Sequence, residues 1–332
     1  MFIMRVVLFL VLFALGAASV AQSALVKRSQ YLMGTLVFVT GVAPDQTTAQ
    51  QAVDAGLKEI RRLEELLSTW IPHSELSRVN AAAGQQSVKV SIETMNLLED
   101  SLEMDRLTGG SFNIAIGPAV DLWNVSEKGR VPAPQELEAV QSLLDLSQLQ
   151  LNRQAGTVSL GRPGMQVDVG GIGKGFAADL AAEVMQSVGA TAGVVAISGD
   201  IKTFGRMPDG RQFLFGIQHP RKEQGQVLAT IELENEAVST AGDYQRYFEE
   251  DGVRYHHILD PKTLQPARST QSVTVIASQG VMADGLDTGI FVMGPQKGMA
   301  LIERLPEVEG VIVDADGKVT VSSGLKSRLQ MQ

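Results

Sequence analysis

Val167-Asp168-Val169-Gly170-Gly171-Ile172-Gly173-Lys174-Gly175-Phe176 reads as a β-prone run closing on an acid, four glycines set around a lysine, and the opening of a helix. A strand that turns through glycine into a helix is a building unit of mixed α and β proteins. Backbone amides at a helix start reach a phosphate or a ribose only where side chains are absent. Two familiar phosphate loops do not fit. A Walker loop places Ser or Thr after Gly-Lys, where this chain has Gly175, and the dinucleotide pattern G-x-G-x-x-G counted from Gly171 meets Phe176 instead of its third glycine. On these residues alone a tight turn with no ligand stays open. Asp168 and Lys174, flanking the glycines, favour a polar ligand.

Outward from this stretch, β-branched runs alternate with helical patterns, which predicts a mixed α and β protein in several layers. Strands are expected at Gly34–Thr40, Met165–Val169, Gly193–Ser198, Phe213–Ile217, Val227–Leu233 and Ser272–Ala277. Helices are expected at Thr47–Leu67, Ser91–Thr108 with Gly109-Gly110 as its stop, Gln135–Leu144 behind Pro132 and Pro134, Phe176–Val188, Met282–Met293 and Gln296–Leu305. Gly324–Gln332 reads as a frayed end.

With 332 residues, 44% hydrophobic and 20% charged, the chain can bury a sizeable core. It has no cysteine, which excludes disulfides, thiolate metal sites, a cysteine nucleophile and the lipid-bearing cysteine of a bacterial lipoprotein. A net charge of −9 argues against a nucleic-acid surface. Arg5 followed by the uncharged run Val6–Ala18 reads as an export signal, too short for a bilayer span of ~20 residues, with cleavage expected after Ala21. Cleavage removes one arginine and no acid, leaving −10 on an acidic, exported protein of one large domain or two small ones. An uncleaved anchor in the inner membrane, facing the periplasm, is the alternative.

Three further segments carry chemistry. In Met282-Ala283-Asp284-Gly285-Leu286-Asp287-Thr288-Gly289, Asp284 and Thr288 stand at i and i+4 of a helix. A carboxylate and a hydroxyl on one face suit a magnesium-like cation; a cap at Asp284 with Asp287 and Thr288 on a wet face fits equally. Tyr255-His256-His257-Ile258-Leu259-Asp260-Pro261 holds two of the four histidines. A neutral imidazole there could take a proton from an incoming hydroxyl, whereas adjacent strand residues face opposite ways and make a paired zinc site the weaker reading. Gly109–Pro118, with Ser111-Phe112-Asn113, reads as turn, apolar strand and Gly-Pro, and Met33 and Trp70 suit a core or a ring-stacking wall equally.

Met33-Gly34-Thr35, Glu75-Leu76-Ser77-Arg78-Val79-Asn80, Gly110–Pro118, Asp168–Phe176, His257–Pro261 and Ala283–Thr288, in this order, resemble the ApbE family of FAD:protein FMN transferases across about residues 31–322. The resemblance implies a T-fold-related, two-lobed α+β unit of mixed sheets with flanking helices, one domain over residues 22–332 exported to the periplasm, with FAD between the lobes. It further implies Mg²⁺ as cofactor and transfer of FMN through a phosphoester bond to Thr or Ser of an exported or membrane flavoprotein, with release of AMP. Carried over by position, Asp284, Thr288 and the Gly171 carbonyl would bind Mg²⁺. Met33, Trp70, Ser111, Phe112, Asn113, Asp168, Lys174 and Ile258 would line the FAD site, and His257, with Asp284, would serve the chemistry. Asn113 stands where the family commonly has aspartate, Lys174 where relatives are often acidic, and Ser198 where a glycine is usual. An FAD pyrophosphatase, with water replacing the protein hydroxyl, and a non-catalytic flavin carrier are the competing readings.

Overall fold

The computed structural model describes residues 23–332, so the export signal expected in residues 1–21 lies outside the described residues. Its frame is an antiparallel sheet of eight strands whose spatial order follows the chain: Ala24–Leu32, Thr35–Ala43, Ala192–Ile197, Asp200–Phe204, Ala237–Gly242, Thr270–Ala277, Glu309–Asp314 and Val319–Val321. The long excursions between them lay helices on one face and a small sheet, built from Phe213–Gln218, Val227–Leu233 and Gln330–Met331, on the other. The expected α+β class holds.

Side-chain parity sorts the strands into layers. In Thr35–Ala43, Val37 and Val39 are buried under helices while Leu36 and Phe38 face out. In Thr270–Ala277 every position is buried: Val273 and Val275 join the helical core, and Ile276 joins Ile217, Ile231 and Val313 in a second core under the small sheet. A strand covered on both faces reads as a continuous apolar and β-branched run, as this one does.

The helices begin and end on local signals. Gln46–Leu67 is capped by Asp45, whose carboxylate accepts the Thr48 amide at 2.9 Å, and buries Val53, Leu57, Ile60, Leu63 and Leu67. Ile92–Thr108 starts at Ser91 and stops at Gly109, which takes the left-handed conformation at φ 61°. Two helices, Gly173–Ser187 and Gly280–Met293, cross with no room for a side chain. A Cβ on Gly175 would lie 2.1 Å from the Gly280 carbonyl oxygen, and one on Gly280 would lie 2.6 Å from that of Gly175.

Several expectations need correction. Met165–Val169 is not a strand; its backbone is held by the Asn80 side chain, which accepts from Val167 N–H at 2.8 Å and donates to Val167 O at 3.0 Å, and by Asp168 N–H donating to Ile114 O at 2.7 Å. The apolar run after Asn113 forms a short 3₁₀ turn, Ile114–Ile116, and then the helix Gly117–Trp123, because Pro118 at a helix start is favourable. The chain end is not frayed. Leu325 is fully buried, and Gln330 and Met331 pair with Thr230 and Ala229.

Candidate active site

A cleft of about 1340 Å³ runs past the Met33-Gly34 hairpin turn, the end of the long helix at Trp70, the Asp168–Lys174 turn, and the loop carrying Tyr244 and Arg246. Met33 adopts φ 51° and donates its amide to Glu64 Oε1 at 2.6 Å, which fixes the turn against the helix. Trp70 is 69% exposed, so its ring is a free wall of the cleft and not core. Lys174 and Asp168 also line it, and Asp168 Oδ1 accepts the Gly170 amide at 2.7 Å. Burial raises the Asp168 pKa. A second cavity of about 590 Å³ shares Trp70 and Asp168 with the first and has His257 in its wall.

Beside the cleft, Asp200, Asp284 and Asp287 each offer a carboxylate oxygen within 4.8 Å of the others, all buried. Asp284 and Asp287 come from the Gly280 helix, and Asp200 begins the strand Asp200–Phe204. Lys174 forms an ion pair with Asp200, and the Ser239 hydroxyl lies against Asp200 and 2.6 Å from Asp287. One hydroxyl proton serves one of those two carboxylates; the other holds a proton or faces a cation. Burial, then Asp200, lifts Asp284 to about 7, and burial, then Asp284 and Asp200, lifts Asp287 well above its ordinary value. Despite burial, the negative charge of Asp200 and Asp284 holds the Lys174 ammonium above its ordinary value. Three carboxyls around one lysine crowd oxygen donors that hold protons in the metal-free chain and would give them up to a hard divalent cation such as Mg²⁺.

Thr288 donates to Asp287 at 3.2 Å, and a Cβ on Gly171 would lie 3.0 Å from Thr288 Oγ1, so Gly171 and Thr288 adjoin this acid group. The Gly175 amide donates to Asp284 Oδ2 at 2.8 Å. The alternative of a cap at the start of its own helix with Asp287 on a wet face does not hold: Gln279 precedes that helix, Asp284 lies inside it and caps the neighbouring helix at Gly175, and Asp287 is buried.

The two histidines part as strand alternation requires. His256 is buried, donates from Nε2 to Ala267 O at 2.6 Å, and accepts the Ile258 amide on Nδ1 at 3.2 Å. His257 is half-buried, and its Nδ1 lies 3.2 Å from the Arg246 carbonyl. A carbonyl only accepts, so Nδ1 carries the proton and Nε2 keeps its lone pair. Desolvation and the Arg246 charge hold the ring well below its usual pKa, neutral at pH 7.

Other predicted residues sit behind the wall. Phe112 and Ile258 belong to the core, at 3% and 5% exposure, and Phe112 packs against Gly289. Ser111 is buried, and Asn113 spends its side chain accepting from the Ala115 amide at 2.7 Å and donating to Leu144 O at 3.0 Å. None of the four lines either cavity. Sequence reasoning missed Asp200, Ser239, Tyr244 and Arg246. The only local signal for Asp200 was an acid directly after a tight Ser198-Gly199 turn, with Ser198 at φ 60°.

Fold and site define an α+β protein with an oxygen-only acid site at the wall of a large cleft. The chain belongs to the ApbE family, whose sequence profile matches residues 33–312. It is 35% identical over 292 residues to a FAD:protein FMN transferase of Vibrio cholerae serotype O1, covering 86% of both chains. The ApbE protein of Thermotoga maritima matches in structure with a TM-score of 0.85 at 29% identity, over 92% of this chain and 99% of that one. Flavin transferase ApbE from Vibrio cholerae matches with a TM-score of 0.80 at 32% identity and the same coverage.

Proposed function

We propose that this protein is a Mg²⁺-dependent FAD:protein FMN transferase that works in the periplasm after export through residues 1–21. It takes FAD in the cleft between two lobes, joins the FMN half to a Thr or Ser hydroxyl of an exported or membrane flavoprotein, and releases AMP. The observation that carries the reading is the buried acid group beside the cleft, in a chain whose relatives of similar length are named FAD:protein FMN transferases.

Asp284, Thr288 and the Gly171 carbonyl would hold Mg²⁺, with Asp287 and Asp200 supplying further charge. A bound Mg²⁺ would neutralise pyrophosphate oxygens and so lower the barrier to displacement at phosphorus. Trp70 and Met33 offer faces to a ring system, and Asp168 and Lys174 offer polar contacts along the same wall. The site residues buried behind the wall, Ser111, Phe112, Asn113 and Ile258, support the FAD site from beneath. His257, neutral and with a free Nε2, accepts the proton of the attacking hydroxyl.

The test is incubation of the protein with FAD, Mg²⁺ and a candidate flavoprotein fragment, followed by intact mass. A gain matching FMN on the fragment together with AMP release supports transfer. FMN and AMP free in solution with no adduct means hydrolysis, and FAD retained without AMP means a carrier; either outcome refutes the proposal.

A further inference from the structure

Most basic side chains that line the cleft are already committed. Lys174 is paired with Asp200; Arg221 holds Asp243 through two bonds of 2.6 Å; Arg254 shares Asp243 at 3.8 Å and lies 4.1 Å over the Tyr247 ring. Lys222 sits on an exposed turn. Arg246 differs from all of these. Its side chain reaches only the Ser126 hydroxyl, at 3.4 Å, and among the described residues no carboxylate lies within the 4.0 Å of an ion pair. It lines the main cleft, where the charges of Asp168 and Asp200 act on it.

Its backbone is fixed relative to the histidine. The hairpin of Tyr247–Glu250 with Val253–His256 pairs Tyr247 with His256, and one step beyond, the Arg246 carbonyl accepts both the His257 amide and Nδ1 at 3.2 Å. A guanidinium without a carboxylate partner, carried on a paired backbone beside a free imidazole nitrogen and an acid cluster, is prepared for an anion. Its planar fork matches two non-bridging oxygens of a phosphate, which an ammonium cannot do.

We infer that Arg246 is the phosphate-binding residue of this cleft, gripping two oxygens of the phosphoryl group that is transferred. This rests on the transferase reading proposed above. In that step the acceptor oxygen forms a bond to the FMN phosphorus while the bond from that phosphorus to the AMP oxygen breaks, and the electron pair leaves with AMP. The acceptor proton passes to His257 Nε2. Arg246 stays charged throughout and faces the oxygens on which negative charge gathers.

Two measurements that do not depend on turnover test the inference. In the first, the full chain with Mg²⁺ is treated with phenylglyoxal, with and without inorganic pyrophosphate, and labelled peptides are identified by mass. Pyrophosphate is expected to protect Arg246; equal labelling in both samples overturns the assignment. In the second, FAD and riboflavin binding are compared by fluorescence for the native chain, R246Q and R246K. A charge-assisted fork of this kind predicts a loss of about 10- to 100-fold in FAD affinity for R246Q with riboflavin affinity unchanged, and only partial recovery in R246K. Equal losses for both ligands, or R246K equal to the native chain, reduce Arg246 to a packing or point-charge role and overturn the proposal. If Arg246 passes both tests and no flavin adduct forms on any acceptor, the transferase reading fails while the phosphate site stands. If adducts form and R246Q binds FAD normally, the reverse holds.

Discussion

Asp284 Oδ2 accepts the Gly175 amide at 2.8 Å, so the carboxylate that the sequence offers to a cation also closes the first turn of a neighbouring helix. Asp179 of that helix answers in kind, accepting the Gly280 and Val281 amides at 2.7 and 3.0 Å. Two helices thus cap each other with acids, and the reciprocal bonds hold the acid cluster against the glycine turn. A carboxylate at a helix N-terminus is favoured by the orphan amides and by the helix dipole.

The crossing predicts that Gly175→Ala is destabilising. The added methyl would meet backbone at 2.1 Å, and backbone cannot swing aside as a side-chain tip can. Overpacking of this kind costs about 1–3 kcal/mol or more. Thermal melting is expected to show a drop of several degrees, and Gly199→Ala, whose added Cβ would meet nothing closer than 3.6 Å, should cost less. Equal melting temperatures for Gly175→Ala and the native chain would mean that the helices do not cross this closely.

Asp284→Asn keeps the shape and a hydrogen-bond acceptor for Gly175 but removes one charge from the cluster. Mg²⁺ raises the melting temperature of a protein whose native state binds it, by an amount set by ligand concentration over Kd. The native chain is expected to gain stability on Mg²⁺ addition, whereas Asp284→Asn should gain little and release no AMP from FAD. A variant that responds to Mg²⁺ as the native chain does would place the cation elsewhere.

Which parts were legible follows from the range of the interactions. Ile92–Thr108 is bounded by Ser91 and Gly109, both local signals, and the sequence placed its ends correctly. Asp284 and Thr288 share a helix face, so their partnership was also local. Asp200 and Ser239 come together only because strands distant in the chain pair side by side, and Arg246 reaches the cleft on the loop that follows one of them; no spacing reports that. Met165–Val169 has strand composition, yet its hydrogen-bond partner is the side chain of Asn80, 87 residues from Val167, which no period-2 pattern encodes. The glycines around Lys174 suit a close phosphate by sequence; for Gly175 the structure gives a packing reason instead.

The acid cluster also fixes how the metal-free protein responds to pH. Asp284 is raised from 3.8 to about 7 in the folded state, chiefly by burial, so between those values the folded chain holds a proton that the unfolded chain has released. The effect of this group is therefore a fall in stability as pH rises through the window, level above about 7. Carboxylates held low, such as Glu136 at about 2 through its Arg130 bond, titrate below the window, whereas His256 and His257, lowered by burial, act in the opposite sense within it. The share of Asp284 is therefore read against Asp284→Asn: in a chelator, the melting temperature of the native chain relative to that variant is expected to be higher at pH 5 than at pH 8. A difference between the two chains that is constant or climbs from pH 5 to pH 8 would show that the three carboxylates are not crowded together.

His257 gives the last test, on the chemistry itself. Its ring is held neutral by desolvation and by the Arg246 charge, well below the usual imidazole range. A base that stays deprotonated at neutral pH gives a rate with no acid limb near pH 6.5; the limb belongs well below that value. Replacement by Asn or Gln removes the free Nε2, and loss of a general base typically slows a reaction by about 10²–10⁴-fold. His257→Asn is therefore expected to lose that much transfer while binding FAD with unchanged affinity. His256→Ala, which strips two buried hydrogen bonds and a ring packed edge-on to Phe291 at 5.5 Å, should instead lower the melting temperature. An acid limb at pH 6.5 that vanishes in His257→Asn would show that the ring titrates normally. Equal losses of FAD binding and transfer in that variant would mean that His257 shapes the pocket and takes no proton.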